Sequence, residues 1–104
     1  DLHRRRHSFP TRRSSDLSDV LSALRAMEGK YRFDIIFMDP PYKQELEYDV
    51  LSYLKDSSLL KENGIIIVEA SLDTAFDYLP DMGFTLKRLK TYKTNEHAFI
   101  IKNQ

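Results

Sequence analysis

An apolar strand that ends in Asp-Pro-Pro-Tyr constrains this chain more than any other feature. The stretch "FDIIFMDPPY" runs from Phe33 to Tyr42. Its Asp34–Met38 part is apolar on both faces, which is typical of a central parallel strand. Pro40 and Pro41 have no N–H groups and restrict the residue before each of them to extended backbone. The sequence therefore predicts that Asp39 ends a buried strand at the sheet edge where open α/β sheets bind ligands.

Helical and strand patterns alternate along the rest of the chain. The predicted elements are a helix capped by Ser18 or Asp19 and ending near Gly29, a strand at Asp34–Met38, a helix at Glu45–Lys55, a turn at Asn63-Gly64, a strand at Ile65–Glu69, a helix from Asp73 to about Asp81 ended by Gly83, and strands at Phe84–Tyr92 and His97–Lys102. The order αβαβαββ predicts an α/β layered sheet, mostly parallel, with an antiparallel hairpin at one edge.

Composition sets limits on the class of protein. With 104 residues, 41% hydrophobic residues and no net charge, the chain is expected to form one globular domain at most. Without cysteine there is no disulfide or thiolate metal site. His97 has no second metal-type residue at ligand spacing, so no metal site is predicted. The longest purely apolar stretch, Ile65–Val68, is far too short for a membrane span.

The first seventeen residues differ from the rest. Asp1–Leu17 holds five arginines against two aspartates and shows no periodicity, whereas Ser18–Gln104 holds eleven basic and fourteen acidic residues. A phosphate-binding arm and an organellar presequence are two interpretations. The interpretation we favour is that this segment is not native, because "RRRHSFPTRRSSDL" resembles translated sequencing-adapter sequence. The expected division is therefore a non-native, disordered segment 1–17 and a domain fragment 18–104.

The residues after the strand suit one kind of chemistry. The Asp39 carboxylate and the Pro40 carbonyl can converge as two rigid acceptors, with the ring of Tyr42 beside them. Two acceptors and a stacking ring fit a planar group that carries an –NH₂, such as the exocyclic amine of a nucleobase. Holding both N–H bonds out of the ring plane frees the nitrogen lone pair, which can then attack an electrophilic methyl group in line.

These residues carry a family resemblance. "DPPY" fits the [ND]-P-P-[YFW] signature of amino-group methyltransferases that use S-adenosylmethionine. Together with "LLKENGIIIVEAS" and "YKTNEHAFII" it resembles the carboxyl half of the RsmD family, over about Ser18 to Lys102. The resemblance implies part of a Rossmann-like methyltransferase fold and methylation of guanine N2 in 16S ribosomal RNA. It also implies that Asp39, Pro40, Pro41 and Tyr42 form the catalytic motif.

The resemblance extends to the cofactor and partners, with a departure. It implies S-adenosylmethionine as cofactor, Asp19 beside its adenine, and 16S rRNA or the small ribosomal subunit as partner in the cytoplasm. The family's glycine-rich cofactor loop has no counterpart here, since the glycines are Gly29, Gly64 and Gly83. The chain is therefore expected to be a truncated catalytic half, inactive alone, with an open sheet edge.

Other interpretations stay open at this point. The four-residue signature alone also fits an adenine-N6 methyltransferase of DNA or RNA, a protein-amide methyltransferase, or a non-catalytic α/β fragment in which "DPPY" is only a turn. Glu69 is expected to be a solvated carboxylate at a strand end, His97 to be structural, and Tyr92 to pack on the sheet. The cations of Phe84–Lys93 fit either phosphate contacts or a charged edge strand that prevents aggregation.

Overall fold

The computed structural model describes residues 17–39 and 46–103. Its elements are α1 (Leu17–Met27), β1 (Phe33–Met38), α2 (Leu46–Leu54), β2 (Leu60–Ser71), a short 3₁₀ helix (Leu79–Met82), β3 (Phe84–Thr91) and β4 (Asn95–Lys102). The four strands form one sheet in the order β1-β2-β4-β3. The β1–β2 pairing is parallel and the other two pairings are antiparallel. The α/β class and the β3–β4 hairpin are thus confirmed, and neither helix of these ranges is long and apolar enough to cross a membrane.

One face of the sheet is sealed by helices. Alternate residues of β1, β2 and β4 point to this face, and α1 and α2 cover them with aliphatic side chains. The strand residues buried there are Ile36, Met38, Ile66, Val68, Ala70, Ala98 and Ile100, and the helical ones are Val20, Leu24, Val50, Leu51 and Leu54. The two amphipathic helices predicted from apolar spacing are therefore confirmed, and they hold the strands in place. The predicted cap is wrong, because α1 begins at Leu17 and both Ser18 and Asp19 lie within its first turn.

The opposite face of the same strands is less covered. Ile35, Phe37, Ile67 and Phe99 are half-buried, and Ile65 is 37% exposed. β1 is also an edge strand of the described sheet. Strands that are apolar on both faces are usually covered on both. β1 therefore occupies the edge of the described sheet, and the opening of this edge that the sequence predicts stays a prediction.

The third predicted helix is wrong. Asp73 to Asp81 contains no α-helix: the chain turns through residues 72–78 and then forms the 3₁₀ helix. The Ser71 hydroxyl donates to Asp73 Oδ1 at 2.7 Å and lies 3.0 Å from the Thr74 hydroxyl, so local side-chain bonds compete with helix formation. Phe76 and Leu79 are nevertheless both buried, as their spacing predicts. Two side chains three positions apart can reach the core without a regular helix between them.

The turn predicted at Asn63-Gly64 is also wrong. Both residues lie within β2, which begins earlier than predicted, and the pairing with β1 shifts register between Phe33 and Ile35. A Cβ at Gly64 would lie 2.5 Å from Leu60 Cδ1 and 3.0 Å from the Asp34 carbonyl oxygen. This glycine therefore serves the close approach of two strands rather than a turn.

A single carboxylate ties α1 to the segment that enters β2. Glu28 Oε1 accepts from the Tyr53 hydroxyl at 2.9 Å and the Ser57 hydroxyl at 2.5 Å. Its Oε2 accepts from the Ser58 backbone N–H at 2.9 Å and the Ser58 hydroxyl at 2.6 Å. These hydrogen bonds, the one from Ser57 first, lower the pKa of Glu28 from 4.5 to about 2.

We expect Glu28→Gln to lower the free energy of unfolding at pH 7 by roughly 1–2 kcal/mol, because the hydrogen bonds to an ionised acceptor are weakened. A carboxyl whose pKa is lowered by folding stabilises above its unfolded pKa and stops doing so as pH falls through the folded one. The difference from wild type should therefore shrink between pH 4.5 and pH 2. Urea unfolding at several pH values measures this. Glu47→Gln, in the first turn of α2, is the matched control. An equal loss in both variants would contradict the assignment.

Candidate functional site at the carboxyl end of the parallel strands

Three strand ends meet at one edge of the sheet. β1 and β2 run parallel with Met38 opposite Val68, so Asp39 leaves β1 beside Glu69. β4 runs antiparallel to β2 and pairs Asn95 with Ser71 and His97 with Glu69. The beginning of β4 therefore lies at the carboxyl ends of β1 and β2, the edge at which α/β folds bind ligands.

Glu69 is held from two sides. Asn95 Nδ2 donates to Glu69 Oε2 at 2.7 Å. His97 Nε2 lies 3.4 Å from Glu69 Oε1, with about a quarter of each side chain exposed. Glu69 is therefore not the solvated strand end that the sequence indicated, and β2 continues past it to Ser71. Its carboxylate links β2 to the beginning of β4.

Two aromatic rings flank His97. The Phe37 ring meets the imidazole edge-on at a centroid distance of 5.9 Å, and the Tyr92 ring does so at 4.9 Å. The Tyr92 backbone N–H donates to the Asn95 carbonyl at 2.7 Å and so closes the β3–β4 hairpin. His97 thus has the structural packing that the sequence indicated. Tyr92 packs on the imidazole while 43% of it stays exposed.

The environment of Asp39 disfavours its charge. Partial burial raises the pKa of the Asp39 carboxyl, the Glu69 carboxylate raises it further, and His97 acts in the opposite direction. Asp39 is nevertheless open to solvent over much of its surface. An accessible carboxyl beside a second carboxylate is common at functional sites, where such groups are held for binding rather than for stability.

The other predicted site residues are placed as follows. Pro40, Pro41 and Tyr42 lie outside the described residues. Asp19 is exposed in the first turn of α1. The turn into β1 is short, so α1 runs opposite to β1 and its first turn lies toward the same sheet edge as Asp39. Within 17–39 and 46–103, no three His, Asp or Glu side chains are grouped to hold a metal ion.

Sequence reasoning missed the part that Asn95 plays. It singled out Glu69 and His97 but treated them separately, and it left Asn95 between the strands predicted to end at Tyr92 and begin at His97. The signal that joins them is positional: Glu69 lies near the end of a parallel strand, and Asn95 and His97 begin the strand that pairs with it. Once β4 is placed beside β2, alternation puts all three side chains on one face.

Comparison with known proteins identifies the family. The model of the family described as "Conserved hypothetical protein 95" matches residues 7–101. The chain belongs to this family, the RsmD family that its motifs resemble. The match begins at His7, within the segment that sequence composition set apart.

One curated relative and two solved structures are similar to this chain. Over 65 residues the chain is 34% identical to the ribosomal RNA small subunit methyltransferase D of Haemophilus influenzae, covering 58% of the chain and 34% of that protein. The ribosomal protein L11 methylase of Lactobacillus delbrueckii superposes with a TM-score of 0.59 at 20% identity, covering 73% of the chain and 40% of that structure. The M1.HpyAVI–SAM complex superposes with a TM-score of 0.58 at 18% identity, covering 85% of the chain and 52% of that structure. These two structures show a shared fold, and the chain spans about a third of the curated relative.

We expect Asp39→Asn to raise the melting temperature at pH 7 slightly, on the order of 1–2 °C for an accessible group. A carboxyl whose pKa is raised by folding binds more protons in the folded state, so the wild type loses stability as pH rises through that pKa. The variant should lack this loss, and the two proteins should converge in acid. Thermal unfolding from pH 3 to pH 8 tests this, with the exposed Asp77→Asn as control. Destabilisation by Asp39→Asn at pH 7 would show that the carboxylate has a structural role instead.

Proposed function

We propose that this chain is the substrate-binding half of an S-adenosylmethionine-dependent methyltransferase that acts on the exocyclic N2 amine of a guanine in 16S rRNA. The observation that carries the proposal is the position of Asp39, an accessible carboxylate directly after β1 at the ligand-binding edge of the sheet. Membership of the RsmD family and the name of the Haemophilus relative support the RNA substrate.

In this proposal Asp39 holds the target amine. Its carboxylate accepts one N–H of the guanine amine and the Pro40 carbonyl accepts the other, while Tyr42 stacks on the base. A nitrogen held by two acceptors outside the ring plane keeps its lone pair available for the methyl group that the cofactor supplies. The cationic nitrogen would then give one proton to water or to the Asp39 carboxylate that already accepts that N–H, so no strong base is needed. Pro41 keeps the loop rigid by fixing its own φ.

Glu69 and His97 set the charge around that amine. Glu69 adds negative potential beside Asp39, which favours a nitrogen that becomes cationic during attack. Asn95 and His97 fix the Glu69 carboxylate, so this potential needs no rearrangement during the reaction. Asp39 must be ionised to accept the amine. Methyl transfer is therefore expected to fall in acid, as pH drops through the raised pKa of Asp39.

The fit of the chain to the cofactor is partial. Asp19 offers an exposed carboxylate that would accept an amine of the cofactor adenine. None of the three glycines forms a glycine-rich loop between a strand and a helix. We therefore propose that most of the cofactor contacts come from the part of the longer family proteins that this chain does not span. A cytoplasmic location follows from the ribosomal substrate and is part of the same proposal.

The test uses a full-length family polypeptide that contains this chain. Asp39→Ala should lower the turnover of methyl transfer by about 100-fold or more, the range seen when one group that stabilises the transition state is removed. The Kd for S-adenosylmethionine should change less than about twofold, because Asp39 binds the base and not the cofactor. Radiolabelled methyl transfer and calorimetry measure the two quantities, and the exposed Asp77→Ala is the control.

The substrate is tested in the same assay. Small ribosomal subunits, naked 16S rRNA and DNA are compared as methyl acceptors, and digestion to nucleosides identifies the product. N2-methylguanosine is the expected product. Methylation of adenine N6 would replace the guanine assignment, and wild-type turnover by Asp39→Ala would remove Asp39 from the mechanism.

A further inference from the structure

The edge strand β3 carries an unusual run of positive charge. Between Phe84 and Lys93 the chain holds four cations and no carboxylate. We call these residues the β3 strip: Lys87, Arg88, Lys90 and Lys93. All four are exposed, and β3 is the outermost strand at its side of the sheet.

The β3 strip runs toward the end of the sheet that holds Asp39 and Glu69. Arg88 pairs with Phe99 and Lys90 with His97, so these cations share a face with the imidazole beside Glu69. The Arg88 guanidinium lies 6.0 Å from the centre of the Phe99 ring, which holds its stem against the sheet. Lys87, Arg88 and Lys90 lie on β3, and Lys93 lies in the hairpin turn just beyond its last residue, Thr91. From Lys87 to Thr91 the strand covers roughly 13 Å at about 3.3 Å per residue.

An aromatic ring stands at the site end of the strip. Tyr92 is 43% exposed, its ring meets His97 at 4.9 Å, and its backbone is fixed by the hairpin bond to Asn95. Lys90 Nζ lies 5.4 Å from the centre of this ring. A fixed, accessible ring beside a cation is the arrangement that proteins use to stack a base and contact its phosphate.

We propose that the β3 strip binds single-stranded RNA next to the target nucleotide, with its cations on the phosphates and Tyr92 stacked on a base. The proposal rests on the proposed function, since Tyr92 packs on the imidazole that contacts Glu69, beside Asp39. It names the surface along which the strand approaches the site. Charge complementarity identifies the partner, because a run of unopposed cations with a terminal ring fits an extended polyanion of stacked bases.

The alternative is that these four cations only prevent aggregation through the exposed edge strand, and it explains fewer of the observations. Lysines on an edge strand do block pairing with other chains. That role requires neither an exposed ring at one end nor cations without counter-charges. In the described part of the chain no carboxylate forms an ion pair with any of the four cations, whereas the exposed Lys61 pairs with Asp34 at 3.3 Å.

The first arm of the test measures the salt dependence of binding. The probe is a fluorescein-labelled, U-rich, 12-nucleotide single-stranded RNA, titrated with the whole chain at several salt concentrations. Lys87→Gln with Lys90→Gln should lower the slope of log K against log salt by about 1.4, since each phosphate contact on a single strand contributes about 0.7. As the control, Lys30→Gln with Lys55→Gln also removes two positive charges, at the end of the sheet away from Asp39. That pair should leave the slope unchanged.

The second arm tests stacking. Tyr92→Ala should weaken binding of the single strand by roughly 5- to 150-fold, the effect of losing one base–aromatic stack, without changing the salt slope. Tyr31 is the matched control, because it is also 43% exposed and precedes β1 at the opposite edge. Tyr31→Ala should change the Kd less than about twofold. A duplex of the same length should be insensitive to Tyr92→Ala, because its bases are already stacked.

The outcomes separate this proposal from the proposed function. Equal slopes in the two double-lysine variants, or equal effects of the two tyrosine substitutions, would overturn the β3 strip. Circular dichroism of each variant confirms that it is folded before binding is compared. Binding at the strip without N2-methylguanosine formation by the full-length protein would leave the strip supported and the proposed activity refuted.

Discussion

The parallel pairing of β1 with β2 is the constraint on which the site depends. The register Met38 to Val68 ends both strands at the same edge and places Asp39 beside Glu69. Helices α1 and α2 seal one face of these strands and fix that register, because a slip by one residue would turn the buried aliphatic set outward. Antiparallel β4 then brings Asn95 and His97 to the same edge.

The same geometry brings two carboxylates together, which opposes folding. Asp39 is harder to ionise because it is partly buried and because Glu69 is near. Asn95 and His97 offset part of this repulsion by holding Glu69. A pair of carboxylates that lowers stability and is accessible to solvent fits a candidate binding site. Glu28 is the opposite case, because its carboxylate accepts hydrogen bonds that hold α1 to the segment before β2.

Much of the fold could be predicted from local sequence patterns. Apolar patterns located α1, β1, α2 and β4, because each buries an apolar stripe that is visible in the sequence. β3 buries only Phe84 and was located as the partner of β4 in a hairpin. The region Asp73–Asp81 misled the same reasoning, since Phe76 and Leu79 are buried at helical spacing while local hydroxyl and carboxylate bonds prevent the helix. Gly64 misled it too, because the need for a glycine arises from the neighbouring Asp34 backbone, a contact distant in sequence.

The site was predictable only in part, for a related reason. Asp39 could be identified because the motif and the strand end are contiguous in the chain. The bond between Asn95 and Glu69 joins residues 26 positions apart, and it becomes visible only when β4 is placed beside β2. The contact of Tyr92 with His97 depends on the hairpin register in the same way. Local patterns therefore indicated the candidate site at Asp39, and tertiary pairing added Glu69, Asn95 and His97 beside it.

Comparison of guanine with inosine tests the central claim most directly, because inosine lacks only the exocyclic 2-amine. Two short single-stranded RNAs that differ at this one base are titrated against the full-length protein and against its Asp39→Ala form. If Asp39 accepts the amine, the wild type should prefer guanine by about tenfold, the worth of one hydrogen bond to a charged group, and the variant should lose most of that preference. Equal affinity of the wild type for both RNAs, or an unchanged preference in the variant, would contradict the account.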